Sequence, residues 1–119
     1  MKRYLIALAF PLLLLLQACS LDPAQRAHAL TTSYTASANV TADLMSDGTV
    51  PESVKPCVKA GDRIVFGYVK QTNLTAQQWI KAGREERTVL EQAVDNLIAL
   101  AQGSMADISH IIATKECAK

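Results

Sequence analysis

The sequence predicts an all-α protein, a small antiparallel three-helix bundle with a short fourth C-terminal helix. Three observations predict it. After residue 22, apolar residues recur at steps of three and four, the spacing of one helix face. Helix-capping residues stand in front of those periodic stretches. Glycine and proline are few, 5 and 4 in 119 residues, and they punctuate the chain rather than fill it. No internal repeat or low-complexity tract interrupts the pattern.

The first helix is expected from Asp22 or Pro23 to Met45. Asp22 can accept hydrogen bonds from the first free backbone N–H groups, and Pro23 at the first helical position gives up an N–H that has no partner there anyway. Leu30, Tyr34, Ser37 or Ala38, Thr41, and Leu44 or Met45 form its stripe. The stripe is rich in Ala, Ser and Thr, which allow close helix approach but lower helix propensity. Asp47-Gly48 supplies the turn that follows.

The second helix is expected over Pro51–Thr72, with Val54, Cys57 or Val58, Gly61, Ile64 or Val65, Tyr68, and Gln71 or Thr72 on one face. Pro56 removes a backbone donor, so a kink or restart is expected there. The β-branched density of Ile64–Val69 leaves a strand as the alternative.

The third helix is expected to open at Thr75. Gln78 three residues on completes a capping box, and Leu74 and Trp79 have the spacing of a hydrophobic staple. Trp79, Gly83, Leu90, Ala93 or Val94, Leu97 and Ala101 form its inner stripe, with Lys81, Arg84, Glu85, Glu91 and Asp95 toward water. Gly103 would end it as a left-handed cap. The short fourth helix would start at Ser104, with Asp107 as a weaker box partner, and present Met105, Ile108, Ile111 and Ile112. Short loops make successive helices antiparallel neighbours. In that arrangement Trp79 joins Phe66 and Tyr68 in a core aromatic cluster, an exposed binding anchor being the other reading.

The N-terminus is of a different kind. Lys2 and Arg3 precede an apolar run from Leu5 to Leu16. That run is well short of the roughly 20 residues that span a bilayer, and its flanks are those of a secretory signal. An uncleaved membrane anchor is the alternative.

The run ends in Leu16-Gln17-Ala18-Cys19, which resembles the lipobox of bacterial prolipoproteins: Leu at −3, a small residue at −1, then Cys. Gln17 departs from the residue types favoured at −2. The resemblance implies cleavage between Ala18 and Cys19, with a diacylglycerol thioether on the Cys19 sulfur. It divides the chain into a signal peptide (1–18), a lipid-anchored N-terminus (19–22) and one helical domain (23–119). Two or three acyl chains, at about 0.8 kcal/mol per buried methylene, anchor stably where one does not. The resemblance further implies that Ser20, in place of Asp, directs the protein to the outer membrane, facing the periplasm. Ala18-Cys19-Ser20 also fits ordinary signal peptidase cleavage, which would give a soluble secreted chain.

Either cleavage removes Cys19 from pairing and leaves Cys57 and Cys117, two of the chain's 3 cysteines, in an oxidising compartment. Their pairing would tie the C-terminal helix to the start of the second; two unconnected thiols are the alternative.

Removing the 18-residue leader leaves 10 of the 12 basic residues and all 11 acidic ones. That balance argues against a nucleic-acid partner and gives no polybasic patch for anionic lipid, and no second membrane-attachment segment is read downstream. His28 and His110 stand alone, Glu85 and Glu86 point apart on a helix, and the cysteines lack CxxC spacing. No phosphate loop or nucleophile elbow is present, and Asn39-Val40-Thr41 and Asn73-Leu74-Thr75 match the glycosylation sequon by chance. The expectation is a non-enzymatic lipoprotein with no cofactor, metal or small-molecule substrate. It would be held to the membrane by the lipid on Cys19 and act as a structural or interaction module with an envelope protein partner. The alternative is a small inhibitor or exclusion factor, of phage or prophage type, that blocks an envelope enzyme or receptor.

Overall fold

The computed structural model describes residues 21–117, and the described residues form three helices: α1 (Pro23–Ser46), α2 (Lys55–Lys81) and α3 (Arg84–Thr114). The all-helical class stands; no strand occurs among the described residues, so Ile64–Val69 is helical. The helices pack up-down-up into a body of 50 × 24 × 21 Å.

α1 starts where its residues require. The Gln25 N–H donates to Asp22 Oδ1 at 2.8 Å, and the Asp22 N–H donates to Gln25 Oε1 at 3.0 Å. Each side chain thus satisfies a backbone group that the helix leaves free. Asp47 ends the helix, and Gly48 takes a φ of 84°, a left-handed conformation that glycine adopts without a Cβ clash.

α2 begins later than the sequence suggests. Residues 52–54 form turns, and Pro56 lies in the first helical turn. No kink is needed, because proline's missing donor has no intrahelical partner at that position.

The largest correction concerns the second half of the chain. α2 runs straight through Thr75, whose hydroxyl donates to the Gln71 carbonyl as a mid-helix residue would. Thr72 and Ala76 are buried on either side, and Asn73 Nδ2 donates to Thr31 Oγ1 on α1 at 2.9 Å. A break at Thr75 would give up that burial, and capping has no function where the N–H groups are already bonded within the helix. Leu74 is consequently exposed. The chain turns instead at Ala82-Gly83, where both residues are extended. There the Arg87 guanidinium donates to the carbonyls of Ala82 (3.2 Å) and Ile80 (3.4 Å) and lies over the Trp79 ring, 4.8 Å from its centroid.

The short fourth helix does not form as a separate element. α3 continues through Gly103 to Thr114, because Ala101, Met105, Ile108, Ile111 and Ile112 make one unbroken buried face on it. Its left-handed cap is Lys115, with φ 58°. α3 is long and apolar enough to cross a membrane by length and composition, but that same face lies inside the bundle.

The core unites Leu30 and Leu44 of α1, Val58, Val65 and Val69 of α2, and the α3 face, with Val50 and Val54 of the connecting turn closing one end. A smaller cluster of Ala27, Ala76 and Val94 fills the other end. The packing between α2 and α3 is tight at Gly61. A Cβ built there would stand 2.8 Å from Ile108 Cγ1, whereas one at Gly67 would meet nothing within 4 Å. Gly61→Ala should therefore destabilise, since overpacking costs about 1–3 kcal/mol and outweighs the roughly 1 kcal/mol of helix propensity gained. Gly67→Ala should stabilise by up to about 1 kcal/mol, because only the propensity term is left. Urea melts of the two variants should shift in opposite directions; a stabilised Gly61→Ala would show that the two helices are not so closely apposed.

Candidate functional site

Ala18 and Cys19, the residues of the expected cleavage and lipidation, lie outside the described residues. Cys57 and Cys117 are brought together. Their sulfurs are 1.92 Å apart and their Cα atoms 5.8 Å, a disulfide across 60 residues of sequence. It joins the start of α2 to the chain just beyond the α3 cap, at the end of the bundle where Val50 and Val54 are buried.

A polar seam that the sequence does not announce runs where α1 meets its neighbours. Arg26 pairs with Asp95 of α3 at 2.7 Å. Thr31 accepts from Asn73 of α2, and the Tyr34 hydroxyl donates to Asp62 Oδ1 of α2 at 2.9 Å. These contacts fix the register of a helix whose inner face carries Ser33 and Ser37 among its few large apolar residues. Ser and Tyr positions on a helical stripe were the available signal for such a seam; the partners, 28 and 42 residues away, carry none.

Beside Tyr34 and Asp62 lies a cavity of about 20 Å³ between the three helices, lined also by Ser37, Val65, Met105 and Ile108. Its size suits one water and no larger ligand. The Ser37 hydroxyl is buried there without a hydrogen-bond partner.

Burial, then the hydrogen bond to Asp62 and that residue's negative charge, push the Tyr34 phenol up from 10.0 to about 12. A folded-state value above the unfolded one favours folding below pH 10 and loses that contribution as pH rises toward 12. In an ultraviolet titration of the folded protein, one tyrosine should ionise late, near pH 12, and Tyr34→Phe should abolish that late phase. A titration in which the late phase persists in the variant would assign it to another residue. On the surface, Glu52 pairs with Lys55, whose hydrogen bond and charge hold the carboxyl below its ordinary value.

His28 and His110 are both exposed, on α1 and α3 respectively. Among the described residues, no group of three or more His, Cys, Asp or Glu side chains could hold a metal ion. Glu85 and Glu86 occupy the first turn of α3, where free N–H groups favour negative charge. The expected cluster of Trp79, Phe66 and Tyr68 does not assemble. All three stand on one helix, and 13 residues separate Phe66 from Trp79, about 20 Å at 1.5 Å per residue. Phe66, exposed, instead faces Tyr34 with ring centroids 6.2 Å apart.

The fold and its contacts thus define a disulfide-tied three-helix bundle with a polar seam under its first helix. No protein-family model, curated protein or solved structure matches the chain.

Proposed function

We propose that this chain is a bacterial lipoprotein precursor whose mature bundle is held at a membrane surface by lipid on Cys19 and acts there without catalysis, as a structural or protein-interaction module of the cell envelope. The observation that carries the reading is Leu16-Gln17-Ala18-Cys19 at the end of an apolar run too short to span a bilayer. A Cys57–Cys117 disulfide suits an exported protein, since such bonds persist in oxidising compartments. The outer membrane, facing the periplasm, is the proposed location, and another envelope protein is the proposed partner.

Intact-mass spectrometry of the protein purified from membranes tests it. The expected species begins at Cys19, carries a diacylglyceryl group and a further acyl chain, and is two hydrogens lighter than the reduced form. An unmodified chain beginning at Leu21 or at Met1 would overturn it.

A further inference from the structure

We propose that the end of the bundle formed by the start of α1 and the α2–α3 turn rests on the lipid surface, through Leu21, Ile80 and Val89. The proposal rests on the anchored reading above and specifies which way the anchored body faces.

The geometry starts from the small cluster of Ala27, Ala76 and Val94, which sets one level of all three helices. Five residues outward from Ala27 and Ala76 stand Asp22 and Lys81, each about 7.5 Å further along the axis at 1.5 Å per residue. α1 therefore emerges from its N-terminal segment at the same end where α2 turns into α3. Only two residues separate Cys19 from Asp22, so an anchor on Cys19 leaves this end within a few residues' reach of the bilayer. The disulfide marks the opposite end, a helix length away.

The surface at this end has the chemistry that a lipid interface accepts. Leu21 is 36% exposed, Ile80 55% and Val89 67%, the last being the most exposed large apolar side chain among the described residues. Val89 lies in the second turn of α3, five residues outward from Val94 and so level with Asp22 and Lys81. Trp79, half-buried next to the turn with its indole N–H buried and Arg87 over its ring, stands just behind this surface rather than in it. Charges at the tip balance: Lys81, Arg84 and Arg87 against Asp22, Glu85 and Glu86. An anionic surface neither repels nor strongly attracts such a tip, so contact comes from apolar burial.

Trp79 is the chain's 1 tryptophan and reports the contact directly. The full mature protein, with its anchor, is reconstituted into vesicles of phosphatidylethanolamine and phosphatidylglycerol carrying a nitroxide lipid labelled in the headgroup region. Trp79 fluorescence should be quenched severalfold more than that of a Trp79→Phe, His110→Trp protein, whose reporter lies toward the other end of α3. Ile80→Glu with Val89→Glu, both exposed and so compatible with folding, should remove most of the Trp79 quenching while the protein still floats with the vesicles. Omitting phosphatidylglycerol should leave the quenching unchanged.

Equal quenching at the two positions, or no effect of the paired glutamates, would overturn the docking alone. So would a dimer in detergent that those glutamates dissociate, which would assign the surface to a second copy of the chain. A protein without acyl groups that fails to float would overturn the anchored reading, and the docking with it.

Discussion

Replacing Cys57 and Cys117 by serine should cost the folded protein about 4 kcal/mol, the chain-entropy value for a loop of 60 residues. The native state has little to lose beyond the bond itself. Cys117 lies past the Lys115 cap in an exposed tail, so its removal empties no core position. Cys57 is half-buried beside the core, and serine there is only slightly smaller. The effect is therefore on the unfolded chain, which gains the freedom that the cross-link denies it. Against a total of about 5–15 kcal/mol for a domain of ordinary stability, that is a large fraction. At roughly 4–8 °C per kcal/mol for a domain this size, the melting temperature should fall by about 15–30 °C. Thermal melts followed by circular dichroism, with and without reductant, check it. The native protein should lose stability on reduction and the double variant should be indifferent to reductant; melting temperatures within a few degrees of each other would show that the bond constrains little.

The second large effect is expected at Leu30. Its side chain is completely buried in the core, where the α1 face otherwise contributes Ser33 and Ser37 until Leu44 at the far end. Hydroxyls in an apolar interface add little when transferred from water, so α1 is held by two leucines, the smaller buried Pro23 and Ala27, its half-buried neighbours and the polar contacts of Arg26, Thr31 and Tyr34. Leu30→Ala removes apolar area and leaves a cavity, for a loss of about 2–5 kcal/mol. Because α1 packs on the α2–α3 hairpin rather than within it, the loss should fall first on α1. Amide hydrogen exchange should accelerate across Pro23–Ser46 well before it does in α2 and α3. Uniform acceleration through all three helices would mean that the bundle opens only as one unit.

How much of this was legible in the residues depends on the range of the interaction. The start of α1 was legible because its determinants are adjacent: Asp22 caps, Pro23 follows, and Leu30 and Leu44 recur on one face. The apolar face of Met105, Ile108, Ile111 and Ile112 was legible from spacing alone. The disulfide was one of two readings of the residues, since setting Cys19 aside leaves Cys57 and Cys117 either paired or free, and the fold brings them together. What failed was the punctuation. Thr75 with Gln78 has the form of a helix start, and Gly103 that of a helix stop, yet both lie mid-helix. Local signals of about 1 kcal/mol were overridden by burial of Thr72, Ala76, Ala101 and Met105 on continuous faces. The turn at Ala82-Gly83 leaned on an Arg87 side chain reaching back, a contact of five to seven residues that no cap pattern records. The Tyr34–Asp62 pair was out of reach for a similar reason, since it exists only once two helices have chosen a register.

The disulfide also decides what kind of object the chain is. Closing Cys57 on Cys117 makes α2, the Ala82-Gly83 turn and α3 a covalent ring, with α1 as a strap outside it. A protease that cut the ring once, at its turn, would release no fragment; a second cut or a reductant would be needed to part the pieces. The strap has no such insurance, because one cut between Asp47 and Val54 frees it from everything but its noncovalent contacts. If the chain is tethered through Cys19 as proposed, a cut at that link would lose the ring to solution and leave the strap behind.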